Sequence, residues 1–260
     1  MGDSNTTERI KLCYKGEFFN FGDKIYTTIP GLKETIREAF TSECAVEVIN
    51  RKEKDGKRRG IKARSLNEVL RELLKKSAEK YKVMINAESF IKDGWFRHDG
   101  NRGFDFSLFD KERNYANAYN YFLGAKGILR GDELIFKKEV YKELGIKREE
   151  WIKRVDKYKA ESGFDNKRPQ TDYAVEKSLD PIVGELQFGN WALIYRDLFR
   201  LMAAEHETSI ALYIYITSDD KLYERLSSQT VRFDKASKVI SENLGIIKTP
   251  IWLIGLSIDE

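Results

Sequence analysis

Two carboxylates and an amide in the C-terminal half of the chain have the types and spacing of a metal-dependent active site. Asp172 lies near the start of one predicted strand, and Glu185 and Gln187 lie near the end of the next. Side chains two residues apart on a strand share a face, so Glu185 and Gln187 point one way and Leu186 the other. If the two strands pair as a hairpin, Asp172 lies beside Glu185.

Such a set of oxygens could hold Mg²⁺, which prefers carboxylate, carbonyl and water ligands. A metal held there could lower the pKa of a bound water and stabilise negative charge on a phosphate. The competing interpretation is a half-exposed strand that shows Glu185 and Gln187 to solvent, which is the common case. The apolar residues on both sides of E-x-Q, and the helix predicted after it, favour a functional site.

The composition indicates one large domain, or one domain with an insertion, in a chain of 260 residues. A net charge of +4, spread over 34% charged residues, says little about partners unless it is clustered. Two cysteines without metal-ligand spacing predict a reducing, cytoplasmic location. The sequence shows no signal peptide and no apolar run of roughly 20 residues, so no membrane association is expected.

The elements that must position the acids follow from hydrophobic periodicity. Strands alternate with helices over the last hundred residues, which predicts an α/β sheet with helices on its faces. The predicted strands are 44–49, 171–175, 182–188, 210–217 and 250–256, and the predicted helices are 31–40, 65–74, 191–204 and 233–244. Ser65 and Glu68 have capping-box spacing at the start of the second helix.

The middle of the chain differs in character. GWFRHDGNRGFDF is rich in glycine and aromatics, and NYANAYNYFLGAKGILRGDELIF is rich in Tyr and Asn. We therefore predict a core of residues 1–95 and 164–260, and an inserted, helical subdomain over 96–163 that contacts DNA or supports a dimer. Within it, Lys138 to Val155 could form a helix-turn-helix around Gly145, although two packed amphipathic helices are the commoner outcome.

The segment QTDYAVEKSLDPIVGELQFGNWALIYRDLF resembles the type II restriction endonucleases of the BglII/BstYI group. The shared features are Q-T-D-aromatic, E-x-Q-F-G and Y-x-D-L-F in order. LSSQTVRFDKA and PIWLIGL further on also resemble this family. The resemblance covers roughly 168–257, and more weakly 29–74, and it does not include about 96–163.

The resemblance implies a PD-(D/E)xK nuclease core with a mixed central sheet flanked by helices. It implies a homodimer that hydrolyses double-stranded DNA with Mg²⁺ and without a nucleotide cofactor. Asp172 and Glu185 would bind the metal, with the backbone carbonyl of Leu186 as a further ligand. Gln187 takes the position that is Lys in most such nucleases. Because an amide does not titrate, Gln187 could orient the attacking water but could not be the base.

Two departures from the family pattern are visible. Four extra residues separate Asp172 from Glu185, and we place them in a turn around residues 177–181. The family has a polar or acidic site residue two positions after a Trp, and the matching position after Trp95 is Arg97. Asp99, close by, could substitute for it.

DNA contacts are predicted from three places. The segment 51–64 holds eight basic and two acidic residues, and its Lys57, Arg58 and Arg59 could contact phosphates. The alternative is a solvated loop. Asn190 could pair with adenine, or it could be a helix N-cap. Ser227 and Ser228 could contact bases, or form an ordinary turn.

The predicted function is a type II restriction endonuclease that cuts at a short palindromic site, which in known relatives often contains GATC. One alternative is a repair or resolvase-like nuclease that recognises DNA structure. The other is a non-catalytic DNA-binding protein in which Glu185 and Gln187 are structural.

Overall fold

A computed structural model describes residues 6–53, 56–98, 103–125, 144–162, 172–174 and 179–259, and gives the backbone alone for 51–53, 56–58, 87 and 88. The strands are β1 (Thr6–Phe19), β2 (Glu43–Glu53), β3 (Gly56–Ile61), β4 (Asn86–Lys92), β5 (Trp95–His98), β6 (Phe104–Leu108), β7 (Ile182–Gln187), β8 (Leu212–Ser218) and β9 (Ile251–Asp259). The helices are α1 (Gly22–Tyr26), α2 (Leu32–Phe40), α3 (Ala63–Lys80), α4 (Lys111–Leu123), α5 (Arg148–Ser162), α6 (Leu193–Glu207), α7 (Asp220–Arg225) and α8 (Phe233–Asn243).

All nine strands join one mixed sheet in the order β3-β2-β1-β9-β8-β7-β6-β4-β5. β7, β8 and β9 run parallel at its centre, and the remaining neighbours are antiparallel. The central strands are buried along nearly their whole length, because helices cover both of their faces. The predicted α/β class, a mixed sheet flanked by helices, is confirmed.

Two apolar layers enclose the sheet. On one face, α2, α3 and α7 pack against residues such as Leu186, Ile214 and Ile254. On the other face, α6 and α8 pack against residues that include Val183 and Tyr213. Glu185 and Gln187 follow Val183 at alternate positions, so the strand period directs both toward the α6 side.

The predicted strands at 182–188, 210–217 and 250–256 and the helices at 191–204 and 233–244 are confirmed as β7, β8, β9, α6 and α8. The predicted hairpin partner of β7 is wrong. Residues 172–174 lie in no strand, and β7 pairs with β6 on one side and β8 on the other.

The sheet also extends into the segment predicted as an insertion. β6 lies between β4 and β7, and β5 forms one sheet edge, so a core boundary at residue 96 falls inside the sheet. α4 and α5 pack together over Trp95 in a separate aromatic cluster that includes Tyr119, Trp151 and Tyr158. α5 follows Gly145, as the predicted break requires, whereas residues 138–143 of the predicted helix-turn-helix lie outside the described residues.

Three local features of the N-terminal half differ from expectation. Thr6–Phe19 forms a long strand that hydrophobic patterning did not indicate, because many of its side chains are exposed. The basic segment is the β2–β3 hairpin rather than a loop. Ser65 does not cap α3, since its hydroxyl accepts the main-chain N–H of Glu47 on β2 at 3.0 Å.

Across the described part of the chain, none of the helices combines the length and apolarity that crossing a bilayer requires.

Candidate active site

An aspartate stands where β6 and β7 separate. The paired residues of the two strands end at Phe106 and Gly184. Beyond that pair, the carboxylate of Asp105 accepts the main-chain N–H of Leu186 at 2.7 Å. The carboxylate thus replaces a main-chain acceptor and is fixed against β7. Its second partner is the guanidinium of Arg71 on α3.

Glu185 of β7 lies next to Asp105 of β6. It is almost fully buried, with 5% of its side chain exposed. Burial raises the pKa of the Glu185 carboxyl well above its usual range, and the Asp105 and Asp197 carboxylates add to the shift. The guanidinium of Arg200, which pairs with Glu185, opposes the shift. Buried carboxylates this close repel each other when ionised, and a cation between them would offset that repulsion.

Gln187 is held at both ends of its amide. Its Nε2 donates to Asp197 Oδ2 on α6 at 2.7 Å, and its Oε1 accepts the N–H of Gly189 at 3.0 Å. Asp197 in turn accepts from Arg196 at 2.7 Å. Burial raises the pKa of the Asp197 carboxyl, while the hydrogen bonds from Gln187 and Arg196 lower it. Gln187 therefore ties the end of β7 to α6.

The donor set at this point suits a hard divalent cation. Asp105 and Glu185 supply carboxylate oxygens. Leu186 follows Glu185 on β7, donates its N–H to Asp105 and supplies a main-chain carbonyl. No cluster of three or more His, Cys, Asp or Glu with metal-binding geometry occurs among the described residues. A cation here would thus depend on two carboxylates, one carbonyl and water.

Asp172, the acid predicted to accompany Glu185, lies elsewhere. It is exposed, and its Oδ1 accepts the N–H of Ala125 just after α4 at 2.9 Å. The structure brings Asp105, not Asp172, to Glu185. Sequence reasoning passed over Asp105 because it lies in the glycine- and aromatic-rich segment, although F-D-F-S-L shows an acid inside an alternating strand pattern.

Arg97, which stands at the polar position of the family pattern, is engaged by other groups. It pairs with Asp93, and its guanidinium lies over the ring of Trp95 at 4.5 Å. Asp99 lies outside the described residues.

Two of the predicted DNA-contacting places meet beyond the end of β7. Asn190 forms an isolated bridge with Thr230, and the N–H of Trp191 donates to the carbonyl of Gln229 at 2.7 Å. Asn190 Oδ1 accepts the N–H of Ala192 at 2.9 Å, but the N-cap of α6 is Ala192, so the prediction that Asn190 caps this helix is wrong. Asn190 is exposed beside the turn 227–230, whose Ser227 and Ser228 are also exposed.

The basic hairpin lies near the same turn. Arg225, at the end of α7, donates to the carbonyl of Arg59 at 3.2 Å and pairs with Glu8 at 3.0 Å. Lys57 and Arg58 are neighbours of Arg59 on β3, and their side chains are not among those described. The main chain of the hairpin at Arg59 therefore contacts the end of α7, two residues before Ser227.

Residues 131–256 match the family described as "Restriction endonuclease BglII/BglIII". This part of the chain is similar to the BglII/BglIII restriction endonucleases. The predicted resemblance is confirmed there, and it makes this region a site-specific DNA nuclease, which is a hydrolase. Glu185, Leu186 and Gln187 lie inside the matched residues. Asp105 lies outside them, as does the weaker resemblance over 29–74.

The chain is also similar to a solved structure, the "Crystal structure of restriction endonuclease BGLII complexed with DNA 16-mer". It shares 11% sequence identity, covers 96% of this chain and 79% of its own, and gives a TM-score of 0.46. No curated protein matches the chain significantly. The BglII/BglIII assignment therefore depends on the family match.

Proposed function

We propose that the protein is a type II restriction endonuclease that hydrolyses double-stranded DNA at a short palindromic site, with Mg²⁺ as cofactor. The observation that carries the proposal is the meeting of Asp105 and Glu185 where β6 and β7 separate. It lies next to the E-x-Q segment of a restriction endonuclease family. Catalysis is assigned to Asp105, Glu185 and Gln187, with Asp105 replacing Asp172.

The residues divide the work by their chemistry. Asp105, Glu185 and the Leu186 carbonyl would hold the cation, which supplies an activated water and neutralises charge on the phosphate. Asp105 keeps its place through the N–H of Leu186. Gln187 does not titrate, and its amide fixes the strand end on α6, so it acts by positioning Glu185.

DNA recognition is assigned to the surface beyond β7. Asn190, Ser227 and Ser228 would face the bases, because they are exposed and joined by main-chain contacts. Lys57, Arg58 and Arg59 would neutralise phosphates from the neighbouring hairpin, which makes binding salt-dependent. We expect the cut site to contain GATC.

A homodimer follows from the symmetry of a palindromic site, since two equal cuts need two equivalent active sites. An aromatic stripe supports a second copy of this chain as the partner. Trp191, just before α6, and Tyr195 and Phe199 on α6 are spaced four residues apart and are 38%, 43% and 70% exposed. The stripe begins next to Asn190, so the interface would adjoin the DNA surface.

The test is incubation of the protein with plasmid DNA and MgCl₂, beside Glu185→Ala. Discrete fragments from the wild type and none from the variant would support the proposal, and sequencing of the fragment ends would give the site. A smear would favour a structure-selective repair nuclease. Binding without cutting under any divalent metal would favour a non-catalytic DNA-binding protein.

A further inference from the structure

Two arginines from different helices bracket the candidate acids. Arg71 of α3 pairs with Asp105, and Arg200 of α6 pairs with Glu185. Asp105 and Glu185 also interact with each other. The four groups form a chain of contacts in which the two guanidinium groups stand at the ends and the two carboxyl groups stand in the middle.

Both guanidinium groups reach the acids from the surface. The Arg71 and Arg200 side chains are 33% and 21% exposed, against 5% for Glu185. A guanidinium has five N–H donors, and its planar fork matches the oxygens of a phosphate as well as those of a carboxylate. An anion that approaches from solvent therefore meets the arginines before it meets Glu185, whereas the Asp105 side chain, at 19%, is about as exposed as that of Arg200.

Positive charge at this place comes from the helices and not from β7. Gln187 is neutral, and its amide is engaged by Asp197 and by the N–H of Gly189. The phosphate of a nucleic acid backbone carries a negative charge that two neighbouring carboxylates alone would repel. Among the described residues, Arg71 pairs with Asp105 and Arg200 pairs with Glu185.

We propose that Arg71 and Arg200 bind the phosphate that is cleaved, and that in the DNA-free protein Asp105 and Glu185 occupy them instead. The inference rests on the proposed nuclease function. When a phosphate takes the arginines, carboxylate oxygens become available to a cation. DNA and the cation therefore strengthen each other's binding, and the free protein holds the cation weakly.

The first test uses no DNA. Mn²⁺ binding to the free protein is measured at pH 8.5 by electron paramagnetic resonance for the wild type, Arg200→Gln and Arg154→Gln. Loss of a positive charge in contact with Glu185 should tighten Mn²⁺ binding by ~10-fold in Arg200→Gln. Equal or weaker binding in that variant would overturn the proposal.

Arg154→Gln is the matched control. The Arg154 side chain is also 21% exposed and also pairs with carboxylates, those of Glu112 and Glu150, but it lies on α5. Its loss should leave Mn²⁺ affinity unchanged. An equal increase in both variants would show a general charge effect and overturn the assignment.

The second test measures single-turnover cleavage. Arg200→Gln should slow it by about 100-fold, as expected for loss of a charge that stabilises a reacting phosphate. Arg200→Lys, which keeps the charge and the fold, should recover part of the rate, and cleavage by Arg200→Gln at the wild-type rate would contradict the proposal. If the wild type cuts nothing but Arg200→Gln binds Mn²⁺ more tightly, the nuclease function would be overturned. The pairing of the arginines with the carboxylates in the free protein would still be supported.

Discussion

Asp105 serves the sheet and the site with the same carboxylate. One oxygen accepts the N–H of Leu186, and the other pairs with Arg71. A side chain that completes the hydrogen bonding of a strand is held more firmly than one on a loop. The position of the acid therefore depends on the strand pair and not on a flexible segment.

Exchanging the two candidate aspartates for asparagine separates their roles. Asp105→Asn keeps an oxygen for the N–H of Leu186 but loses a charged cation ligand, so cleavage should fall by at least ~100-fold. Asp172→Asn should cut at the wild-type rate, because the Asp172 carboxylate accepts the N–H of Ala125 just after α4 and is not brought to Glu185. Initial rates on the same plasmid substrate measure both.

Circular dichroism would first establish that both variants fold. Loss of cleavage in Asp172→Asn with normal cleavage in Asp105→Asn would instead support Asp172 as the metal-binding partner of Glu185, as predicted from the sequence. The sequence singled out Glu185 and Gln187 as candidates because their motif is local. It could not identify Asp105 as their partner, because the two acids lie 80 residues apart and only the sheet joins them.

Cys44 offers a residue-scale test of burial. Burial raises the pKa of its thiol to about 11. The neutral thiol is therefore favoured in the folded state, and its contribution to the free energy of unfolding is lost as pH rises through that value. In Cys13→Ser, where Cys44 is the single thiol, alkylation by iodoacetamide at pH 9 should be at least ~10-fold slower in the native protein than in urea. Equal rates would contradict the burial of Cys44.

At the scale of elements, β7 joins the site to both cores. Its even-numbered residues pack toward α3 and its odd-numbered residues toward α6. Gly184 is paired with Phe106 of β6. A Cβ there would lie 2.1 to 2.6 Å from ring atoms of Phe106, which is buried.

Gly184→Ala should therefore destabilise the protein. Phe106 would have to move within a close-packed layer, at a cost of about 2 kcal/mol. Gly245→Ala is the control, because a Cβ at Gly245 meets nothing within 4 Å, and it should change stability by less than ~0.5 kcal/mol. Urea unfolding followed by circular dichroism measures both, and equal midpoints would show that the Phe106 contact is not tight.

The elements that sequence patterning predicted correctly are those with a strong local signal. β8 and β9 are continuous apolar runs, and α6 and α8 have clear helical periodicity. The pairing of β7 was not predictable, because nothing local distinguishes β6 from any other short strand. β1 escaped notice since its exposed positions interrupt the apolar alternation.

At the scale of the whole molecule, the exposed aromatics on and beside α6 form the interface of the proposed dimer. Phe199→Asp should convert a dimer into a monomer at micromolar concentrations, because a charge would be buried in the interface. Phe21→Asp is the control. Phe21 is 72% exposed, close to the 70% of Phe199, but Phe21 lies beside α1. Size-exclusion chromatography with light scattering gives the masses. A monomeric wild type, or equal effects of both variants, would contradict a dimer through α6.

The overall class was predictable from the order of strands and helices, whereas the extent of the sheet was not. Composition separated residues 96–163 from the rest, and α4 and α5 do form their own aromatic cluster. β5 and β6 nevertheless complete the sheet from within that segment. A change in composition thus marked a change in surroundings, but not the edge of the fold.

The turn 227–230 is fixed by main-chain atoms: the N–H of Thr230 bonds to the carbonyl of Ser227, and that of Trp191 to the carbonyl of Gln229. The side chains of Ser228 and Gln229 are exposed. Their chemical identity can change while the backbone that carries them stays in place. For laboratory evolution, these two positions form a small library site in which new DNA specificities can be sought without rebuilding the catalytic strand.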